Sequence, residues 1–190
     1  MNRTRTLLLA AAALALTACA SESDPQLQAE NQAARRGEID AQADAALQRL
    51  YAQNEAARTL GERAKGILVC PEVFRAGFIV GGQTGNCALQ VDGTNVAYYN
   101  TSAASIGLQA GAQGSSQAIM FMTDEALQGF RDGSGWEAGV DGSVTVINTA
   151  TAGSVNTNTF RDPIVAFVWG QSGLLAGVSL AGTKYTRLNL

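Results

Sequence analysis

The sequence predicts an α+β protein in which N-terminal helices pack on a curled or barrel-like antiparallel β-sheet, with one short helix inserted near residues 123–131. Three observations carry this reading. Glycine is abundant, 21 residues against six phenylalanines, two tryptophans and three prolines, and glycine at that density belongs where strands bend, bulge or approach closely. The apolar period changes once, from three- and four-residue steps before residue 66 to short runs punctuated by glycine after it. A chain of 190 residues with 46% hydrophobic content has apolar material for one ordinary core.

Arg3 and Arg5 precede an apolar run over 7–16 that is too short to cross a bilayer as a mature helix, so the N-terminus reads as an export signal. The run ends in Leu16-Thr17-Ala18-Cys19, which looks like a bacterial lipobox. The expectation is cleavage before Cys19 and acylation, palmitate included, of that cysteine; an ordinary cut after Ala18 or Ala20 is the alternative. Each buried methylene contributes about 0.8 kcal/mol, so several acyl chains tether a protein to a membrane without spanning it. Ala20 is not the aspartate that resembles an inner-membrane retention signal, which favours the outer membrane, facing the periplasm. The chain then divides into a signal peptide at 1–18, a tether and marginal helix at 19–37, and a folded domain at 38–190.

Without Arg3 and Arg5, eleven of the thirteen basic residues face sixteen acidic ones, and the mature chain is near −5. That balance argues against nucleic acid as a partner, which calls for a basic surface. Any anionic partner must be met by a local patch.

Asp24-Pro25 reads as a helix start, aspartate capping and proline in the first turn. The helix over 27–36 has one large apolar residue and is interrupted at Gly37. From 38 to 65 a better helix carries Ile39, Ala43, Leu47, Leu50, Ala57 and Leu60 on one face. Buried strands are expected at 67–70, closed by Pro71, and at 78–80, with a turn over 81–86. A strand follows at 87–91, a turn at Asp92-Gly93 and a strand at 96–99. Strands at 105–113 and 118–122 flank a turn at 114–116. Thr123 caps a short helix through Phe130. Strands are expected at 139–147, 163–170, 174–180 and 184–188, with a polar loop or weak strand over 148–159.

There is no histidine, which removes the usual general base, Ser-His-Asp and Cys-His pairs and most zinc sites. The sixteen carboxylates are scattered; a carboxylate enzyme stays open, but the reading is non-catalytic, without cofactor or metal. Gly81-Gly82-Gln83-Thr84-Gly85-Asn86 has the composition of a phosphate loop, yet it leads into a strand rather than a helix. Cys70 and Cys87 lack the Cys-x-x-Cys spacing of redox enzymes, and at the ends of neighbouring strands in an oxidising compartment they suit a structural disulfide.

Lys65-Gly66-Ile67-Leu68-Val69, Pro71-Glu72-Val73-Phe74-Arg75-Ala76-Gly77-Phe78 and Tyr98-Tyr99-Asn100-Thr101-Ser102 resemble the SYLF domain family, the lipid-binding domain also called the yeast actin-patch type. The resemblance continues through Gly107-Leu108-Gln109-Ala110-Gly111-Ala112-Gln113, Met120-Phe121-Met122-Thr123-Asp124, Gly135-Trp136-Glu137-Ala138-Gly139-Val140-Asp141 and Gly173-Leu174-Leu175-Ala176-Gly177-Val178-Ser179-Leu180 to Gly182-Thr183-Lys184. It covers the chain from about residue 40 and implies a β-rich domain that binds phospholipid, the partner here being a membrane with anionic lipid. The cysteines depart from the family pattern together, which favours a Cys70–Cys87 bridge. The basic segments associated with actin binding in the family are not evident. Candidates for the lipid headgroup are Arg58, Arg63, Lys65 and Arg75, with Phe74 and Phe78 for apolar contact. A reading of another class is a structural or partner-binding envelope lipoprotein, with the polar 148–159 segment and exposed tyrosines as its surface.

Overall fold

The computed structural model describes residues 25–106, 111–133, 135–149, 161–173 and 180–190. The export segment, Cys19 and the tether lie outside these residues, as do most of the expected 148–159 loop and all of the expected 174–180 strand except Leu180. Met1–Ala34 and Arg35–Leu190 are two compact units. The described part of the first is the opening of α1 (Pro25–Gln53), exposed at every position through Ala34.

The second unit contains the rest of α1, then α2 (Glu55–Gly61), β1 (Gly66–Gly77), β2 (Val80–Val91), β3 (Thr94–Ile106), β4 (Gly111–Phe121), α3 (Asp124–Asp132), β5 (Gly135–Glu137), β6 (Thr145–Asn148), β7 (Ile164–Gly173) and β8 (Lys184–Leu188). The strands make one sheet in the order β5-β8-β3-β2-β1-β4-β7-β6, curled into a half-barrel. The class is α+β, as expected, with one addition: the sheet is mixed, because β6 pairs in parallel with β7. About fifteen residues separate these two strands, and a parallel pair needs a crossover of a dozen or more.

Side-chain alternation divides the core in two. On one face of the sheet Leu68, Leu89, Tyr99, Phe121, Trp136 and Tyr185 gather around Phe130 of α3. On the other, Ile67, Val69, Ala88, Met120, Val165 and Phe167 meet Ile39, Ala43, Ala46, Leu47 and Leu50 of α1 and Ala57 and Leu60 of α2. The runs 67–70, 118–121 and 164–169 are continuously apolar because both faces of these strands are covered. Phe130 is the hub of the concave face, with ring centroids 4.7 Å from Tyr99, 4.8 Å from Phe121 and 5.6 Å from Trp136. Asp40 and Asp44, one turn apart on α1, accept hydrogen bonds from Tyr98 Oη at 2.9 Å and Gln90 Nε2 at 2.6 Å, tying the helix to β3 and β2.

Several local expectations change. Gly37 does not interrupt α1, and nothing lies near the position of its missing Cβ; it weakens the helix by about 1 kcal/mol without ending it. The single helix expected over 38–65 is two, broken where Asn54 takes an extended backbone and its Oδ1 accepts from the Ala57 amide at 2.9 Å. The strand at 67–70 does not stop at Pro71 but continues to Gly77 through a bulge. Proline fits there because a bulged residue needs no ladder donor, and its carbonyl accepts from Ser116 Oγ at 2.7 Å.

Residues 78–80, expected as a buried strand, are the exposed tip of the β1–β2 hairpin. Residues 81–86, expected as a turn, lie inside β2 and pair with β1 and β3. Gly85 is required in that strand, since a Cβ would meet the Glu72 carbonyl oxygen at 2.5 Å. Residues 114–116 likewise lie within β4, and of the strand expected over 139–147 only 145–147 is strand, in β6, while the chain after β5 makes a tight turn from residue 139. Other expectations hold: Asp92 and Gly93 turn with φ of 51° and 74°, Thr123 caps α3 through the Ala126 amide at 3.2 Å, and β8 occupies 184–188.

Cys70 and Cys87 form a disulfide between β1 and β2, both buried on the concave face. It closes the outer half of the hairpin, with a sequence separation of 17, a loop for which the constraint contributes about 3 kcal/mol. Replacing both cysteines with alanine is expected to lower the urea midpoint by an amount equivalent to about 3 kcal/mol, measured against the oxidised parent.

Candidate functional site

The four candidate cations do not form one cluster. Arg58, Arg63 and Lys65 sit at the α2 end of β1, whereas Arg75 lies ten residues further along that strand, about 33 Å at the usual rise. Arg58 Nη2 donates to the Tyr51 carbonyl oxygen at 3.2 Å. Lys65 Nζ lies 3.6 Å from Asp124 Oδ2, both exposed, a pairing of little energetic value. Arg63 and Lys65 line a hollow with Glu62, Asp92, Asp124 and Arg131. Its charges alternate in sign, so it focuses no field on an anion.

Phe74, Arg75 and Phe78 share the outer end of the β1–β2 hairpin, with Phe74 and Arg75 on opposite faces of β1. β1 and β2 converge at the pair Gly77–Gly81, where a Cβ on Gly77 would meet Gly81 Cα at 2.4 Å, so the close approach depends on glycine. Beyond it the tip carries large apolar side chains into water, Phe78 being 70% exposed, Val80 67% and Ile79 56%, and before it Phe74, on the convex side of β1, is 51% exposed. Isolated exposed apolar residues are ordinary, but a contiguous group marks a contact surface. Its electrostatic setting is simple, because Arg75 is the only charged residue between Glu72 and Asp92.

Arg75 belongs to the concave face. Its register partners are Gln83 on β2 and Gln113 on β4. Gln83 Oε1 accepts from Arg75 Nη2 at 2.6 Å and Nε at 3.2 Å, while Gln83 Nε2 donates to Thr183 Oγ1 at 3.2 Å. Burial pulls the Arg75 guanidinium below its usual pKa, and among the described residues no carboxylate forms an ion pair with it. Gln83, Thr101, Gln113, Gln117 and Thr183 are all buried at this end of the sheet. Tyr185 Oη reaches Gln117 Oε1 at 3.4 Å, joining β8 to β4 across the concave face. That bond separates the polar end from the aromatic cluster beneath it.

These buried glutamines and threonines escaped the sequence reading. The available signal was the placement of Gln and Thr at alternate positions, Gln83 with Gly85 and Gln113 with Ser115 and Gln117, a period of two that the surrounding glycines and serines obscured. Among the described residues no group of three His, Cys, Asp or Glu is placed to hold a metal ion.

A curled sheet with a constrained apolar hairpin and a polar concave end has the character of a binding domain. Residues 102–189 match the family described as Ysc84, Las17-binding protein actin regulator, and are consistent with a member of the SYLF domain family, which the sequence resemblance had indicated. That family is one of lipid or actin-related binding, generally non-catalytic. No curated protein matches the chain.

All four tyrosines of the chain have phenol pKa values above the usual range. Burial, followed by the charge of Glu62, pushes Tyr51 up to about 12. Burial dominates for Tyr98, with the Asp40 hydrogen bond next, and for Tyr99 and Tyr185. A phenol whose folded pKa is raised contributes stability that is complete below its unfolded value of 10.0 and is lost as pH climbs through the folded value. Phenolate absorbance at pH 10 is therefore expected well below the half-ionisation of free tyrosine, and urea midpoints should fall from pH 10 upward, less steeply in Tyr51→Phe.

Proposed function

We propose that this protein is a lipoprotein of the cell envelope, acylated on Cys19 and held on the periplasmic side of the outer membrane, whose domain binds anionic phospholipid without catalysis. The observation that carries this reading is the β1–β2 tip. Phe74, Phe78, Ile79 and Val80 are exposed on a hairpin cross-linked at its base by Cys70–Cys87. An apolar side chain of this size moved from water to hydrocarbon gains about 1.5–3 kcal/mol when burial is complete. The tip can make that transfer cheaply, because pairing on both sides of Gly77–Gly81 holds its backbone in place.

Charge supports the same orientation. A mature chain near −5 is repelled by an anionic surface as a whole, so contact has to be made by a part of it carrying positive or no charge. Between Glu72 and Asp92 the sole charge is that of Arg75. The cations Arg58, Arg63 and Lys65, surrounded by carboxylates at the far end of β1, contribute less to this contact.

A form beginning at Asp24, lacking the acylated cysteine, is expected to sediment with vesicles of phosphatidylcholine and phosphatidylglycerol and much less with phosphatidylcholine alone. Phe78→Ser with Ile79→Ser should abolish sedimentation while shifting stability by no more than about 0.5 kcal/mol, as exposed sites do. Absence of sedimentation by the unsubstituted form would favour a partner-binding envelope protein whose only lipid contact is its anchor.

A further inference from the structure

We propose that the polar end of the concave face is a binding site for a single phosphate group bearing a small hydroxylated substituent, with Arg75 as its only charged contact. This rests on the lipid-binding reading and adds to it a location and a charge selectivity. A buried or half-buried guanidinium in a protein interior ordinarily faces a carboxylate. Arg75 instead faces amides: Gln113 is its partner on β4, and Gln83 Oε1 takes Nε and Nη2 on the β2 side. A neutral acceptor fixes the orientation of the guanidinium and leaves its charge unneutralised. Those two bonds leave Nη1 for a phosphate oxygen, in the planar geometry that arginine offers to oxyanions.

A second, independent observation lies on β4. Gln117 is fully buried, its Oε1 is taken by Tyr185 Oη, and its Nε2 has no hydrogen-bond partner among the described residues. An amide donor left unsatisfied in an interior is destabilising, a loss that a ligand oxygen would recover. Gln117 lies four residues along β4 from Gln113, the register partner of Arg75, about 13 Å of strand, so a single phosphate cannot sit at both levels. A phosphate near Arg75 with a hydroxylated group extending inward toward Gln117 matches the two. The amides and hydroxyls of Gln83, Gln117, Thr183 and Tyr185 on this face pair with hydroxyls and bring no second positive charge for a further phosphate.

Sequence places this site two residues before Gly77 and the apolar tip. A phospholipid could therefore place its headgroup against Arg75 while its chains stay with Phe78, Ile79 and Val80. A free phosphate ester would use the same contacts without the tip, and the experiment separates the two sources.

The full acylated chain in phosphatidylcholine nanodiscs, labelled with nitrogen-15 at arginine, gives an Arg75 Nε–H resonance assigned by its loss in Arg75→Lys. Titration with inorganic phosphate, with glycerol phosphate and with inositol hexakisphosphate, and incorporation of phosphatidylglycerol into the disc, are followed by that resonance. Movement with glycerol phosphate as well as with phosphatidylglycerol supports a phosphate site open to both sources. Movement with phosphatidylglycerol alone supports a headgroup site. In either case Gln117→Leu should weaken glycerol-headgroup binding about tenfold, and the polyphosphorylated inositol should bind no more tightly than the singly phosphorylated ligand. No movement with any of the four overturns the proposal, even if Arg75→Gln fails to fold. If the unsubstituted Asp24 form sediments with anionic vesicles and Arg75→Gln sediments equally well, the site is lost while lipid binding through the tip stands. If the unsubstituted form does not sediment, the lipid reading itself fails.

Discussion

Between Ile67 and Cys70, β1 is buried on both faces and flanked on both edges by antiparallel strands, so neither its side chains nor its peptide groups have water to turn to. Such a segment must be apolar throughout and must have two complete neighbours. β2 and β4 supply the edges. The faces are covered by different means, a helix with a narrow alanine-containing stripe on one side and a cluster of rings on the other. Ala43, Ala46 and Ala57 let the helices lie close to the sheet, while the concave side requires bulk and gets it from Phe130, Phe121, Trp136 and Tyr185. Gly142 answers the same requirement, since a Cβ there would come within 2.8 Å of the Trp136 ring and 2.9 Å of Ile164.

The remainder of β1 is under the opposite regime. After the bulge at Pro71 its inward positions pass from Val73 to Arg75, and the facing positions on β2 and β4 pass from Gly85 and Ser115 to Gln83 and Gln113. One strand thus has a stiff apolar half and a polar, partly open half, with the disulfide at the junction. The arrangement separates stability from recognition. Substitutions near Phe130 act on folding, whereas the tip and the Arg75 end have few apolar contacts to lose. Regions of that kind are where proteins place surfaces that meet ligands.

How much of this is legible in the sequence depends on whether the signal is local. The turn at Asp92-Gly93 and the cap at Thr123 are local, since backbone sterics and one side-chain oxygen determine them, and both are readable. The runs at 67–70 and 164–169 are readable because two-sided burial leaves only apolar residues. The outer halves of β1, β2 and β4 are harder. There the sheet uses Gly81, Gly82, Gly85, Gly114 and Ser115, residues whose local preference is for turns, and pairing across three strands overrides that preference. The apolar run 78–80 misleads in the opposite direction: its hydrophobicity resembles that of a core strand, yet it faces outward. Of the candidate site, Arg75, Phe74 and Phe78 stand out by residue type. The glutamines around Arg75 do not, because only the register between distant strands brings them together.

The position of β8 has a consequence for how the chain acquires its structure. Lys184–Leu188 lies between β3 and β5, and its partners precede it by roughly fifty to ninety residues. β1 and β2 close as a hairpin and β4 joins β1 across roughly 35 to 55 residues, all of it before β8 in the chain, but Trp136 and Tyr185 reach their places only when this late strand inserts. A chain emerging from a ribosome or a translocation channel therefore passes through a stage in which the central strands are paired and the concave rings lack their last cover. Long-range strand insertion of this kind slows folding and leaves apolar surface open to other chains meanwhile. Assistance at that stage would have to protect the concave side, and it would be needed until residue 188 had emerged.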